Sequence, residues 1–414
     1  MEAGVEASDV ELTEPAPRVA TAEESAALNE PSVMSPPLMS YPIEVPCGPR
    51  RRVGCLTRCR LRRVLLVHGR KNLTTTLGRP LARAAVAIGN FDGVHRGHQT
   101  LIATARRLAD ATGGDAVVLT FDPHPARLLA PALAPPLIVS LERRAELLGQ
   151  AGADVVVAEP FTRDFAAIEA DDFATQILGE DLHATQVVVG YDFSFGRGRR
   201  GDTAMLQELG DRVGFGVSIV RRISIHGLTC SSTKVREFAL EGRVEGAEVL
   251  LGRPFELTGI VTRGAGRGRG LGYPTANLVP DADLIPKPGI YAARARLVGL
   301  EPRLDPAAVA DPRERGEGGG GKSDSDRASA SAVLGVASFA AAVSIGTNPT
   351  FVRDGALTVE AHLLDFDRDL YGKAIRLEFV QRLRDEHRFE SIDQLLAQMR
   401  ADVARTRELV PVVA

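Results

Sequence analysis

Cysteine is scarce in this chain of 414 residues: Cys47, Cys55, Cys59 and Cys230 are all there is. So few thiols in so long a chain argue against a disulfide framework and fit a reducing, cytoplasmic setting. Nor do Cys47, Cys55, Cys59 and His68 read as a zinc site, because their spacing matches no usual finger. No apolar run approaches the roughly 20 residues that span a bilayer, so no membrane partner is expected. The net charge is only −3. That small value gives no reason to expect nucleic acid, and no basic recognition helix is evident. What remains is an ordinary globular composition, 44% apolar and 25% charged, with length for two domains and additions. Composition carries no signal of oligomeric state.

The first 63 residues read as a disordered leader. They are rich in Ala, Glu, Pro and Ser, broken by Pro36, Pro37 and Pro46, and end in a basic patch from Arg50 to Arg63. A secretory signal would start basic and become apolar; this stretch starts acidic and does not become apolar. From Val64 the pattern turns α/β. Strands are predicted at 64–67, 86–88, 116–120, 155–158, 187–190 and 216–220, with helices between them such as 141–150 and 171–178. Strands alternating with helices imply a parallel sheet covered on both faces. Its ligands belong beyond the carboxyl ends of the strands.

The loops expected at that edge carry the chemistry. The first is Gly89-Asn90-Phe91-Asp92-Gly93-Val94-His95-Arg96-Gly97-His98. It lies between an apolar strand and a helix whose Leu101, Ile102, Ala105, Leu108 and Ala109 recur at helical spacing. Glycines at 89, 93 and 97 allow close backbone approach or positive φ. Free N–H groups at the helix start favour phosphate. His95 and His98 can donate to that phosphate or to charge growing on it. The second loop, Phe121 to Pro125, holds His124 between two prolines that stiffen it. The third, Gly190 to Gly196, presents Asp192, Phe193 and Phe195, whose rings suit either a planar ligand or the core. The fourth, Cys230 to Arg236, places Ser231, Ser232 and Thr233 at a helix start with Arg236 one turn in, a second phosphate cradle or an ordinary N-cap.

Residues 237–252 read as one linker helix ending at Gly252. Beyond it, over 253–406, strands follow one another without helices, as in a small closed β-barrel, and Ser391 caps a final helix with Ile392, Leu395, Leu396 and Met399 on its apolar face. Gly264 to Gly272 is a basic, glycine-rich flap that includes Gly268 and Gly270 and is able to wrap phosphates. Thr275 and Asn277, two apart on an extended segment, point to one side as hard oxygen donors suited to Mg²⁺. Glu360, on a strand of alternating apolar residues, suits a base for a substrate hydroxyl, or a structural ion pair.

The string GNFDGVHRGH resembles the HxGH signature of nucleotidylyltransferases, in particular that of the bacterial bifunctional riboflavin kinase/FMN adenylyltransferase (FAD synthetase) family. GRGLGYPTANL, IGTNPTF, VEAHLLDFDRDLYG and LRDEHRF resemble the kinase half of the same family. The resemblance covers about 64–298 and 340–405. It implies a Rossmann-like HxGH domain at 64–236, followed by a β-barrel riboflavin kinase domain with a C-terminal helix. The implied ligands are small molecules: ATP, riboflavin, FMN and FAD, with Mg²⁺. It implies ATP contacts from Gly89, Phe91, Asp92, Gly93, His95, His98, Ser231, Ser232, Thr233, Arg236, Gly268 and Gly270. Flavin contacts are implied at His124, Asp192, Phe193, Phe195, Arg384 and Glu386, metal ligation at Thr275 and Asn277, and catalysis at Glu360 together with both histidines.

The insertion at about 299–334 interrupts that resemblance. Within it, Gly316 to Ser323 satisfies the P-loop pattern, but neither flank is an apolar element, so a Gly/Ser-rich disordered insertion is expected. Two other functions fit parts of the sequence. An adenylyltransferase for a different acceptor is opposed by the PTAN and VEAHLLDF segments. A non-enzymatic flavin-responsive regulator would be expected to have lost His95, His98, Thr275 or Glu360.

Overall fold

Uninterrupted runs of Val, Leu and Ala become the inner strands of a parallel sheet, since a strand covered on both faces leaves no side for polar residues. The protein is described by a computed structural model over residues 41–45, 62–264, 270–298, 338–347 and 357–411. Strand β1 (Tyr41–Val45) pairs antiparallel with β2 (Arg62–His68). The sheet continues with β3 (Ala84–Ile88), β4 (Ala116–Asp122), β5 (Val155–Pro160), β6 (Ala184–Gly190) and β7 (Gly216–Val220). Their order is β1-β2-β5-β4-β3-β6-β7, parallel from β2 onward. β1 lies within the stretch whose composition suggested disorder. Its Pro42 is tolerated because an edge strand has one unpaired side. A short hairpin, β8 (Ser224–Ile225) with β9 (Leu228–Thr229), follows β7.

Helices α1 (Arg96–Thr112) and α2 (Leu141–Ala151) bury Leu101, Ile102, Ala105, Leu147 and Leu148 in one core cluster. Helix α3 (Thr203–Val213) contributes Leu206 and Leu209 to a second cluster, with Phe173, Ile177 and Leu178. Residues 237–252 are not one linker helix. Gly242 takes the left-handed conformation (φ 79), which favours glycine, and ends α4 (Ser232–Glu241); α5 (Val244–Leu251) starts afresh. The first half of the expected linker therefore belongs to the helix that begins at the fourth loop.

The second domain is a closed barrel in the order β10 (Phe255–Thr262), β11 (Ala276–Pro280), β14 (Leu357–Leu363), β13 (Ser338–Thr347), β12 (Gly289–Val298), β15 (Ala374–Arg384). Inward residues alternate with outward ones, as on β14, where Val359, Ala361 and Leu363 are buried and Thr358, Glu360 and His362 lie on the outer face. Ser391 caps α6 (Ile392–Leu409), accepting from the Gln394 N–H at 3.2 Å. Of the apolar face expected at its start, Ile392 is 64% exposed while Leu395, Leu396 and Met399 are half-buried, and the buried positions, Asp402, Thr406 and Val410, come further along. Its polar anchor is the pairing of Asp402 with Arg384 of β15 at 2.7 Å.

The join between the domains is a shared core. One apolar cluster runs from Val64, Leu66 and Val156 in the sheet, through Phe238, Val244, Leu250 and Leu251, to Phe255, Leu257 and Tyr291 in the barrel. Polar contacts rim it. Arg143 of α2 pairs with buried Glu256 of β10 at 2.7 Å, and Arg376 of β15 reaches Glu146 of α2 at 3.1 Å. Burial pushes the Glu256 carboxyl up, but Arg143 and Arg253 outweigh it and hold it at about 2.

Candidate active site

The turn after β3 sits at the carboxyl end of the strand that has β4 on one side and β6 on the other, where the connections change direction across the sheet. Its backbone adopts a conformation most residues avoid. Phe91 (φ 50) and Val94 (φ 42) both lie at positive φ beside Gly93 (φ 77). Such strain persists only where surroundings hold it, and it gathers at ligand sites. A Cβ on Gly97 would stand 3.0 Å from His95 Cε1, so glycine is what lets the His95 ring fold over the first turn of α1.

His95 caps α1, its Nδ1 accepting from the His98 N–H at 3.3 Å. That acceptor role puts the proton of the neutral ring on Nε2. The two imidazoles stack with centroids 3.6 Å apart, and Phe91 meets His98 edge-on at 5.2 Å. Burial, then Arg253 and Arg236, pull His95 down to about 4. Burial, then His95 and Arg144, push His98 well below its ordinary value. Both rings are therefore neutral at pH 7, and Nδ1 of His98 is buried with no partner among the described residues.

The residues behind the turn build it. Asp92 is 2% exposed. Its carboxylate accepts from the Ile138 N–H at 3.0 Å, from the Val139 N–H at 3.4 Å and from Arg236 Nη2 at 2.5 Å. Arg236 also donates through Nε to Pro136 O at 2.8 Å. Ser232 Oγ donates to Asp92 O at 2.8 Å, and Ser231 caps α4 by accepting from the Lys234 N–H at 3.2 Å. The side chains of Asp92, Arg236, Ser231 and Ser232 are thus occupied inside the protein. What α4 turns outward is its free N–H groups and the exposed Thr233. The Ser232–Asp92 bond brings the N-termini of α1 and α4 to one turn.

Arg144 was missed by sequence reasoning. It is 1% exposed, and its Nη1 reaches Asn90 O at 3.2 Å, Thr120 Oγ1 at 3.3 Å and Phe121 O at 3.3 Å, tying the first loop to the second. One signal was present: an arginine three residues after Leu141, on the apolar stripe with Ala145 and Leu148. His124 belongs to that second loop. Its Nδ1 accepts from the Ala126 N–H at 3.2 Å, and burial lowers its pKa within the fields of Asp92, Arg236 and Arg144. In the third loop Asp192 is exposed. Phe195 is 6% exposed in the second core cluster, its ring 5.4 Å from Phe173 and stacked on Phe193 at 5.6 Å. Of the two rings, Phe195 is a core residue and only Phe193 keeps some exposed surface.

On the barrel, β11 pairs with β14 so that Asn277 lies opposite Glu360. Thr275 Oγ1 donates to Glu360 Oε2 at 3.1 Å. Thr275, Asn277 and Glu360 thus gather on the outer face of two adjacent strands. His362, two residues along that face, holds the preceding segment through Nδ1 and Pro274 O at 2.8 Å and through Tyr273, ring to ring at 5.4 Å. A Cβ on Gly264 would run into the Asn277 amide, so that glycine admits the asparagine. Gly270 is exposed, and Gly268 lies outside the described residues. Glu386 packs against Gly346 at the end of β13, while Arg384 is committed to Asp402. Among the described residues no group of three or more His, Cys, Asp or Glu side chains could hold a metal.

Two family models match, FAD synthetase over residues 79–234 and riboflavin kinase over 251–410. The bifunctional riboflavin kinase/FMN adenylyltransferase of Pseudomonas fluorescens is 35% identical over 83% of this chain and 97% of that protein. The chain belongs to the bifunctional riboflavin kinase/FMN adenylyltransferase family. The Escherichia coli (strain K12) member is 33% identical with the same coverage. The crystal structure of a macrolide-efflux protein from Streptococcus pneumoniae superposes with a TM-score of 0.65 at 28% identity, covering 83% of this chain and 99% of that one. Among the described residues no helix is long and apolar enough to cross a membrane. This member of the family phosphorylates riboflavin to FMN with ATP and adenylylates FMN to FAD with a second ATP. The FAD synthetase match ends within α4 and the kinase match begins at the last residue of α5.

Proposed function

We propose that adenylyl transfer takes place on the Gly89–His98 turn and riboflavin phosphorylation on the outer face of β11 and β14. The observation that carries the first assignment is the meeting of two helix N-termini at one glycine turn topped by two neutral imidazoles. In that step an oxygen of the FMN phosphate attacks the α-phosphorus of ATP, a P–O bond forms, and the bond to the departing pyrophosphate breaks. The nucleophile is already an anion, so no strong base is required. Positioning and charge stabilisation carry the step. Nε2–H of His95 and the N–H groups at the starts of α1 and α4 donate to the phosphates; a ring held neutral supplies a hydrogen bond without a proton transfer. His124, Asp192 and Phe193 border the flavin side of this edge.

In the phosphorylation step Glu360 takes the proton of the ribityl hydroxyl as its oxygen attacks the γ-phosphorus, a P–O bond forms, and the bridging bond to the departing ADP breaks. Thr275 donates its only hydroxyl proton to Glu360 Oε2, leaving Oε1 for the substrate and the threonine lone pairs facing away. Thr275 Oγ1 and the Asn277 amide oxygen are hard donors, the kind that Mg²⁺ takes together with phosphate oxygens, so the residues fit that ion. When bound, Mg²⁺ would neutralise charge on the transferring phosphoryl group. The functional division we adopt is adenylyltransferase at 64–236 and kinase at 253–406.

The test is His95→Ala and His98→Ala in the full chain, with FMN and FAD separated chromatographically. FMN-to-FAD conversion should slow by about 10²-fold or more, as when an oxyanion donor is lost, while riboflavin phosphorylation persists. Equal loss of both activities would count against the assignment.

A further inference from the structure

One side chain of the kinase half reaches the phosphate turn of the other. Arg253 lies between α5 and β10, within the riboflavin kinase match. Its Nη2 donates to Gly93 O at 2.9 Å and its Nη1 to Val94 O at 3.5 Å. The Gln99 side-chain amide donates both to Val94 O at 2.9 Å and to Leu251 O at 2.8 Å. On its other side Arg253 stands 3.5 Å from Glu256, which Arg143 pairs separately. The Arg253 side chain is 16% exposed, so it is braced between barrel and turn rather than waving in solvent.

The two carbonyls it holds belong to residues at positive φ, Gly93 and Val94. A carbonyl oxygen swung toward the ligand would set partial negative charge against phosphate. With the Val94 oxygen held by Arg253 and Gln99, the N–H of the same trans peptide, that of His95, points the opposite way. The orientation of that peptide also sets where the His95 side chain starts. We infer that Arg253 is a positioning residue for adenylyl transfer, supplied by the kinase half, which fixes the carbonyls of the turn and through them His95. This inference rests on the assignment of that turn as the adenylyl site.

The charged and titratable groups around His95 are Arg253, Arg236 of α4 and His98 of its own helix, with Cys230 packed against Gly97. The experiment compares full-length wild type, Arg253→Ala and Arg253→Lys. It measures kcat and KM for ATP in FMN adenylylation, riboflavin phosphorylation on the same preparation, and the titration of His95 by NMR. Arg253→Ala should lower kcat for adenylylation about tenfold or more, the scale of a small misplacement of a reacting group. Riboflavin phosphorylation should stay within about twofold, and the His95 midpoint should move up from about 4. Arg253→Lys, which keeps a charge and a single-point donor, should recover part of both effects.

A folded Arg253→Ala protein with wild-type kcat and an unmoved His95 titration would overturn the inference. So would a proportional loss of both activities, which would make Arg253 a structural residue of the barrel. If His95→Ala is inactive while Arg253→Ala is normal, only this inference falls. If His95→Ala is itself normal, the site assignment falls first.

Discussion

Asp92→Ala tests whether the phosphate turn is held from behind. In the folded protein the carboxylate is 2% exposed and accepts from Ile138 N–H, Val139 N–H and Arg236. Alanine leaves the Arg236 side chain, 11% exposed, without its carboxylate and strands the two backbone donors. Removing one partner of a buried ion pair costs about 3–5 kcal/mol, a large share of the roughly 5–15 kcal/mol that holds a domain together. At about 2–4 °C per kcal/mol for a domain of this size, the melting midpoint should fall by roughly 6–20 °C. The assay is thermal unfolding of the full chain as wild type, Asp92→Ala, Arg236→Met and the double variant. The double variant carries no stranded charge. It should be more stable than the sum of the single losses predicts, by about 1–3 kcal/mol. Below the transition, adenylylation should be reduced about 10²-fold in both Asp92 variants, because neither restores the turn, while riboflavin phosphorylation continues. An Asp92→Ala protein within about 0.5 kcal/mol of wild type, or strict additivity in the cycle, would refute the reasoning.

The buried histidines make stability depend on pH. Unfolded His95 binds a proton below about pH 6.5, but folded His95 does so only near 4. Its contribution is therefore complete above pH 6.5 and is lost as pH falls toward 4, by about 3 kcal/mol. His98, shifted the same way, should steepen the decline, and urea midpoints that stay flat from pH 7 to pH 4.5 in wild type, or that fall as steeply in His95→Asn, would contradict this. Glu360→Gln keeps the shape of the side chain but cannot take a proton, so riboflavin phosphorylation should drop by about 10²–10⁴-fold, with FMN-to-FAD conversion unchanged in the same preparation. Wild-type phosphorylation in that variant would reduce Glu360 to a brace for Thr275. Lys322→Ala, in the P-loop-like string that lies outside the described residues, should alter neither rate; a lost kinase activity there would revive the P-loop.

Much of the fold follows from signals that act along a few residues of chain. Val155, Val156 and Val157 read as a doubly covered strand because their neighbours leave no polar face, and Val359, Ala361 and Leu363 alternate because a barrel wall has an inside. The turn after β3 was legible for the same reason: Gly93, Gly97 and the two histidines declare a tight strand-to-helix corner before any partner is considered. The break at Gly242 was equally local, but Glu237 to Leu251 keeps an apolar pattern across it that masks the left-handed cap. At the start of α6, Ile392, Leu395 and Met399 form an apolar stripe of which Leu395 and Met399 are half-buried and Ile392 is left exposed, while the pairing of Asp402 with Arg384 on another strand could not be read from the helix itself.

The sequence by itself determined which residue types stand at the phosphate turn and the PTAN segment, and in what local backbone, since turn chemistry and periodicity are written within about one helical turn or one strand. Only the tertiary structure decided which of them are partnered inside the protein. Asp92 and Arg236 read as phosphate contacts, yet across 144 residues of chain they meet each other. Once buried, a carboxylate and a guanidinium are held where each satisfies the other, since either left alone would bear the full cost of desolvation. Arg253, next to Pro254 with no motif around it, reaches the turn because the shared core brings the segment just before the barrel's first strand to Gly93 and Val94. Partnerships of that kind depend on where distant elements are packed, and no spacing along the chain encodes them.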